Sequence, residues 1–221
     1  MPLPPFAPLA LTLICLACVV AQIAFDRSTW AFAPAARGVA KLGASSAFVA
    51  VAVVLGAAHS PYGRLVLAAL ALGWVGDALL LSRRKPVFLA GLVAFLIAHG
   101  LYAAAFASGP LDETALAVAS LLSVAAGAGF LRWVRPHLPR ALTWPVRAYV
   151  AVILLMCVAA AGHTVATGRG VVLLGALLFA VSDVAVARDR FVERTHANHL
   201  WGWPTYFAAQ LLLAWSVVGM G

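Results

Sequence analysis

Runs of about twenty apolar residues follow one another along almost the whole chain, each closed by a short cluster of polar, glycine or proline residues. Twenty residues at about 1.5 Å each is the length a helix needs to cross a hydrocarbon core of about 30 Å. Eight such runs stand out, at about 7–25, 39–58, 64–82, 87–107, 114–133, 146–166, 171–187 and 200–219. The breaks carry turn chemistry, as in Ser60-Pro61-Tyr62-Gly63, Ser108-Gly109-Pro110 and Thr167-Gly168-Arg169-Gly170. The pattern predicts an all-α fold: a polytopic membrane helix bundle of about eight transmembrane helices, forming one transmembrane domain over residues 1–221. It leaves no room for a separate soluble domain.

Composition agrees with the pattern. Of 221 residues, 64% are apolar and 10% charged, against roughly 25% charged in a soluble domain. The net charge of +8 would suggest nucleic acid in a soluble protein, but the basic residues sit at helix ends and a nucleic-acid partner is not expected. Cys15, Cys18 and Cys157 all fall inside apolar runs, so they read as small buried residues and not as a disulfide framework.

The lysines and arginines also set orientation. Thirteen of the fifteen lie in the first, third, fifth and seventh connections, among them Arg27, Arg37, Lys41, Arg83, Arg84, Lys85, Arg188 and Arg190; Arg64 and Arg169 alone lie in the others. The positive-inside rule then makes the odd connections cytoplasmic and both termini external, in what is expected to be a bacterial inner membrane. A cleaved signal peptide would reverse that bias and is not expected.

Against this background two carboxylates stand out. Asp77, in Gly73-Trp74-Val75-Gly76-Asp77, and Asp183, in Phe179-Ala180-Val181-Ser182-Asp183, are the members of the seven acidic residues that lie within long apolar runs. An ionisable group at membrane depth is expensive unless it faces the protein interior with partners, which makes it a functional candidate. Spans three and seven run in the same direction, and each aspartate lies about one and a half turns before a basic stop. The repeated arrangement, four spans apart, suggests an internal duplication of four-helix halves. Gly73, Gly76, Gly175 and Ala176 would let these spans pack closely.

Few other strongly polar groups interrupt the runs. His99 and Tyr102 share a face of span four, Tyr206 and Gln210 a face of span eight, and Tyr149 stands near the start of span six. Singly these read as interhelical hydrogen-bonding glue or interfacial anchors. Together they are expected to converge with Asp77 and Asp183 on one cavity opening toward the cytoplasmic leaflet. Two carboxylates in a low-dielectric cavity can divide roles, one carrying a proton while the other stays ionised. Ser182 beside Asp183 is a candidate contact but not a nucleophile activated by its neighbour, because adjacent helical residues do not face each other. No G-x-S-x-G elbow is present. His196 and His199 are a competing metal pair, yet no H-E-x-x-H motif occurs and His196 is expected to be solvated in the charged connection, so no metal or other cofactor is assigned.

At these residues the sequence resembles the lysoplasmalogenase family of YhhN-like integral membrane proteins. The resemblance rests on Gly76-Asp77; Phe88 to Phe95 running into His99 and Tyr102; Pro145 to Tyr149; Gly175 to Asp183; and Tyr206 to Gln210, in the family's order over spans three to eight. Where the family pattern opens span two with Lys-Pro and threonines, this chain has Lys41 followed by Leu42-Gly43-Ala44-Ser45-Ser46, and no site residue is assigned there. The resemblance implies hydrolysis of the vinyl-ether bond of lysoplasmalogens, with a lysophospholipid substrate drawn from the membrane. It implies catalytic roles for Asp77 and Asp183 and substrate contacts from His99, Tyr102, Tyr149, Ser182, Tyr206 and Gln210, with rim arginines such as Arg84 or Arg188 near the phosphate. The competing expectation is a proton-coupled carrier using the same intramembrane aspartates.

Overall fold

A computed structural model describes residues 5–82 and 84–219; Arg83 of the third connection lies outside them. Eight long helices follow in order: α1 (Ala7–Asp26), α2 (Ala33–Val54), α3 (Pro61–Leu80), α4 (Lys85–Ala107), α5 (Glu113–Val134), α6 (Thr143–Thr167), α7 (Gly170–Ala187) and α8 (His196–Trp215). Among the described residues, seven of them are long and apolar enough to cross a membrane. The protein is an integral membrane protein. α8 falls short on hydropathy because it carries His196, Asn198, His199, Tyr206 and Gln210, and it directs Asn198, Tyr206 and Gln210 into the protein.

The helix limits follow local chemistry. α2 begins at Ala33 rather than near 39, because Pro34 suits a first turn and Arg37 neutralises itself on Asp26 at 2.6 Å. α3 begins on Ser60, whose Oγ accepts from Gly63 N at 3.0 Å, with Pro61 in the first turn. α6 stops at Gly168, with φ of 72°. A π-type turn, Arg188–Val192, widens the end of α7 before the chain enters α8.

Helices α1 and α2, α3 and α4, α5 and α6, and α7 and α8 pack as antiparallel neighbours, and α2 packs on α3 as α6 packs on α7. The two halves differ at the edge. α1 also leans on α8, whereas Gly127 and Val134 are the buried residues of α5, which lies at the periphery. The core between the halves is aromatic, with Phe48, Tyr102, Phe106, Phe179 and Phe207 fully buried. Close backbone approach fixes the N-terminal end of α3, where a Cβ on Gly63 would stand 2.2 Å from the carbonyl oxygen of Ala57. Gly63→Ala is therefore expected to destabilise the fold by about 1–3 kcal/mol, read as a lowered unfolding temperature in detergent; an unchanged temperature would show that the Ala57 turn yields freely.

Candidate active site

Asp77 is 1% exposed on the inner face of α3, four residues beyond Gly73. Lys41 of α2 reaches Oδ1 with its Nζ at 3.0 Å. Oδ2 accepts from Ser45 Oγ, one turn along α2, and from Tyr206 Oη of α8 at 2.8 Å. A cation and two hydroxyls thus surround this carboxylate, satisfying it as an anion. The small residues flanking Asp77 make room for this. A Cβ on Gly73 would stand 2.9 Å from Gln210 Nε2 and 3.4 Å from Tyr206 Oη, and one on Gly76 would stand 2.6 Å from the Phe95 ring.

Asp183 of α7 has a different set of neighbours. His99 Nε2 of α4 lies 3.2 Å from its Oδ2, and Tyr149 Oη of α6 donates to the same oxygen over a long 3.4 Å. The His99 ring is fully buried, and its Nδ1 lies 2.7 Å from the carbonyl oxygen of Phe95. A carbonyl can only accept, so Nδ1 carries a proton. Nε2 and Oδ2 would then meet as two acceptors unless one proton lies between them. Their approach is off the ideal hydrogen-bond line, leaving Nε2 without a well-aligned partner.

The neighbours of the two aspartates correspond under a shift of four helices. Asp77 on α3 is approached from α2 and α8, Asp183 on α7 from α6 and α4. Phe179 stands between the groups. Its ring centre is 4.1 Å from that of His99 and 5.5 Å from that of Tyr206, with Phe95 and Tyr102 at its other edges.

Both aspartates line one cavity of about 1340 Å³. Tyr149, Ser182 and Tyr206 line it as well, and apolar walls come from Leu80, Leu92 and Phe95. Its lining also carries Arg37, Arg190 and Arg194 together with Asp189 and Glu193, and Arg37 is paired with Asp26 at 2.6 Å. Arg188, considered for phosphate from the sequence, is instead engaged with Asn198 Oδ1 at 2.8 Å and Glu193 Oε2 at 3.1 Å.

Of the residues picked from the sequence, His99, Tyr102 and Gln210 are fully buried behind the cavity wall, where Tyr102 Oη donates to Gln210 Oε1 at 2.7 Å. Ser182 Oγ donates to Phe179 O, closing on its own helix. Lys41 and Ser45 were missed, although both lie on the segment at which the family pattern departs. Their spacing of four on one helix face was the available signal. The expectation that His196 is solvated fails, and His199 joins it on the same partner. Both Nδ1 atoms lie on Asp26 Oδ2, at 2.6 and 2.7 Å, because the end of α1 packs on the start of α8.

Several curated proteins are similar to this chain. Lysoplasmalogenase TMEM86A of Bos taurus is 34% identical over 153 residues, covering 65% of this chain and 61% of that protein. Lysoplasmalogenase TMEM86B of Homo sapiens is 35% identical over 157 residues, covering 71% and 65%. Lysoplasmalogenase of Mycobacterium bovis is 34% identical over 181 residues, covering 77% and 67%. The matched segment thus spans less than two thirds of the two mammalian proteins. No solved structure matches. The YhhN family matches residues 37–217, a segment that holds both aspartates and every side chain facing them, and the chain belongs to that family.

Proposed function

We propose that the protein hydrolyses the vinyl-ether bond of lysoplasmalogens, releasing a fatty aldehyde and a glycerophospho-head group. The observation that carries this reading is the pairing of unlike carboxylates on one cavity: Asp77 held by Lys41, Ser45 and Tyr206, and Asp183 facing His99 Nε2 at 3.2 Å. A vinyl ether hydrolyses by protonation of its β-carbon, which gives an oxocarbenium cation. Water then adds to the α-carbon, and the hemiacetal formed breaks to aldehyde and alcohol. Asp183, which lines the cavity, delivers the proton held between it and His99. Asp77, charged and fixed by three donors, stabilises the cation and receives the proton of the attacking water. His99 acts through Asp183, and Tyr102 and Gln210 brace α4 against α8; these are positioning residues.

The cavity's shape supports the substrate class. Apolar walls suit the alkenyl chain, and Arg190 and Arg194 on the same lining suit a phosphate. Arg190 and Arg194 belong to the connection between α7 and α8, which the positive-inside rule assigns to the cytoplasm, so the site opens to that side and both termini are external. The named relatives are lysoplasmalogenases, in agreement with this reading.

The test is aldehyde release by the purified protein in detergent. Release from a lysoplasmalogen, and much less from the same lipid acylated on its free hydroxyl, is the expected result. Folded protein that liberates no aldehyde would overturn the reading, and solute uptake by reconstituted vesicles would then point to a carrier.

A further inference from the structure

Beside the cavity, whose lining includes Arg37 and His199, lies a second cluster that this chemistry does not use. Asp26 is the last residue of α1, with a side chain only 5% exposed. Its Oδ2 faces His196 Nδ1 at 2.6 Å and His199 Nδ1 at 2.7 Å. The two imidazoles come from the first turn of α8, three residues apart and therefore on one face. The carboxylate oxygen and both ring nitrogens lie within 4.8 Å of one another.

The surroundings hold these atoms in place. Arg37 Nη1 takes the other carboxylate oxygen at 2.6 Å, fixing the plane of Asp26 and leaving Oδ2 for the imidazoles. The His199 ring stacks on Trp203 at 4.4 Å and 7°, and its Nε2 lies 3.6 Å from Asp189 Oδ1. An outer carboxylate behind a histidine is the arrangement that orients metal-bound imidazoles and raises their basicity.

We propose that Asp26, His196 and His199 bind one divalent transition-metal ion of the Zn²⁺ class, clipping the end of α1 to the start of α8 beside the cavity. Two nitrogens and one carboxylate oxygen suit such an ion better than Mg²⁺ or Ca²⁺, which take oxygen ligands. Bonds of about 2.0–2.2 Å in tetrahedral geometry put neighbouring ligand atoms roughly 3.3 Å apart. Oδ2 therefore recedes by under about 1 Å as the metal takes the place of the two Nδ1 protons. Three protein ligands leave a fourth position for water. Asp26 lies before the segment 37–217 that the family covers, so the site depends on a residue outside the matched region.

The test is a Co²⁺ titration of the full chain after stripping with a chelator. One equivalent is expected to bind with the intense visible absorption of four-coordinate Co²⁺, to be displaced by Zn²⁺, and to raise the unfolding temperature. His199→Ala and Asp26→Asn should each weaken binding by at least about 100-fold, since loss of an outer-shell partner alone costs 10- to 100-fold. His59→Gln, remote from the cluster, should bind as the parent does. No bound equivalent, a weak six-coordinate spectrum in the parent, or binding that survives loss of both His196 and His199 would overturn the proposal. The parent titration is decisive even where a variant does not fold, and it reads metal directly, so it fails or succeeds independently of aldehyde release.

Discussion

Asp183→Asn is expected to leave the protein folded and to lower kcat for aldehyde release by about 10²- to 10⁴-fold, the range that a general acid contributes. The argument for an intact fold is specific to this position. His99 Nδ1 is committed to the Phe95 carbonyl, so Nε2 needs a donor opposite it. The asparagine amide supplies one and satisfies the buried imidazole, while removing the acidic proton from the cavity. KM should change little, because the role proposed for Asp183 is on the reacting bond and not on the phosphate. The measurement is steady-state aldehyde release beside an unfolding curve for the same sample. A folded variant with parental kcat would remove Asp183 from the chemistry; a low kcat with a collapsed unfolding temperature would show that its role is structural.

The second large effect is on stability. Lys41→Met removes the ammonium 3.0 Å from Asp77 Oδ1 and leaves a carboxylate that is 1% exposed with hydroxyl donors alone. Breaking a buried ion pair from one side costs about 3–5 kcal/mol, because the remaining charge stays desolvated without compensation. The Lys41 side chain is 15% exposed, which puts the expected loss near the lower end. Adding Asp77→Asn to Lys41→Met should recover most of the stability, since the amide needs no counter-ion. The double variant remains inactive if Asp77 is the stabilising anion. A Lys41→Met protein as stable as the parent would show that the Ser45 and Tyr206 hydroxyls suffice.

Most of the architecture was readable in the chain because the bilayer imposes one length and one polarity on every span. The two aspartates were equally readable, since a carboxylate in an apolar run has few bland explanations. Their partners were not equally visible. Ser45 is one of many small hydroxyls, and Lys41 near a helix start looks like an ordinary interfacial charge until α3 is seen beside it. Asp26 was hidden by its position at a helix end next to Arg27, where a charge normally meets water. Its role depends on α8 packing against α1, a contact between the two ends of the chain that no local pattern encodes. Tyr206 and Gln210 were correctly read as sharing a face, but they serve different partners, Asp77 and Tyr102, because α3 and α4 both border that face.

The Phe179 ring gives the two halves of the site a shared bearing. It touches His99, which faces Asp183, and Tyr206, a donor to Asp77. The two carboxylates have separate hydrogen-bond partners but not separate mechanical supports. A change in the volume of residue 179 would be transmitted to both at once, and substitutions around one aspartate would not be energetically independent of those around the other. The ring thus couples the His99 side of one carboxylate to the Tyr206 side of the other through a single rigid body.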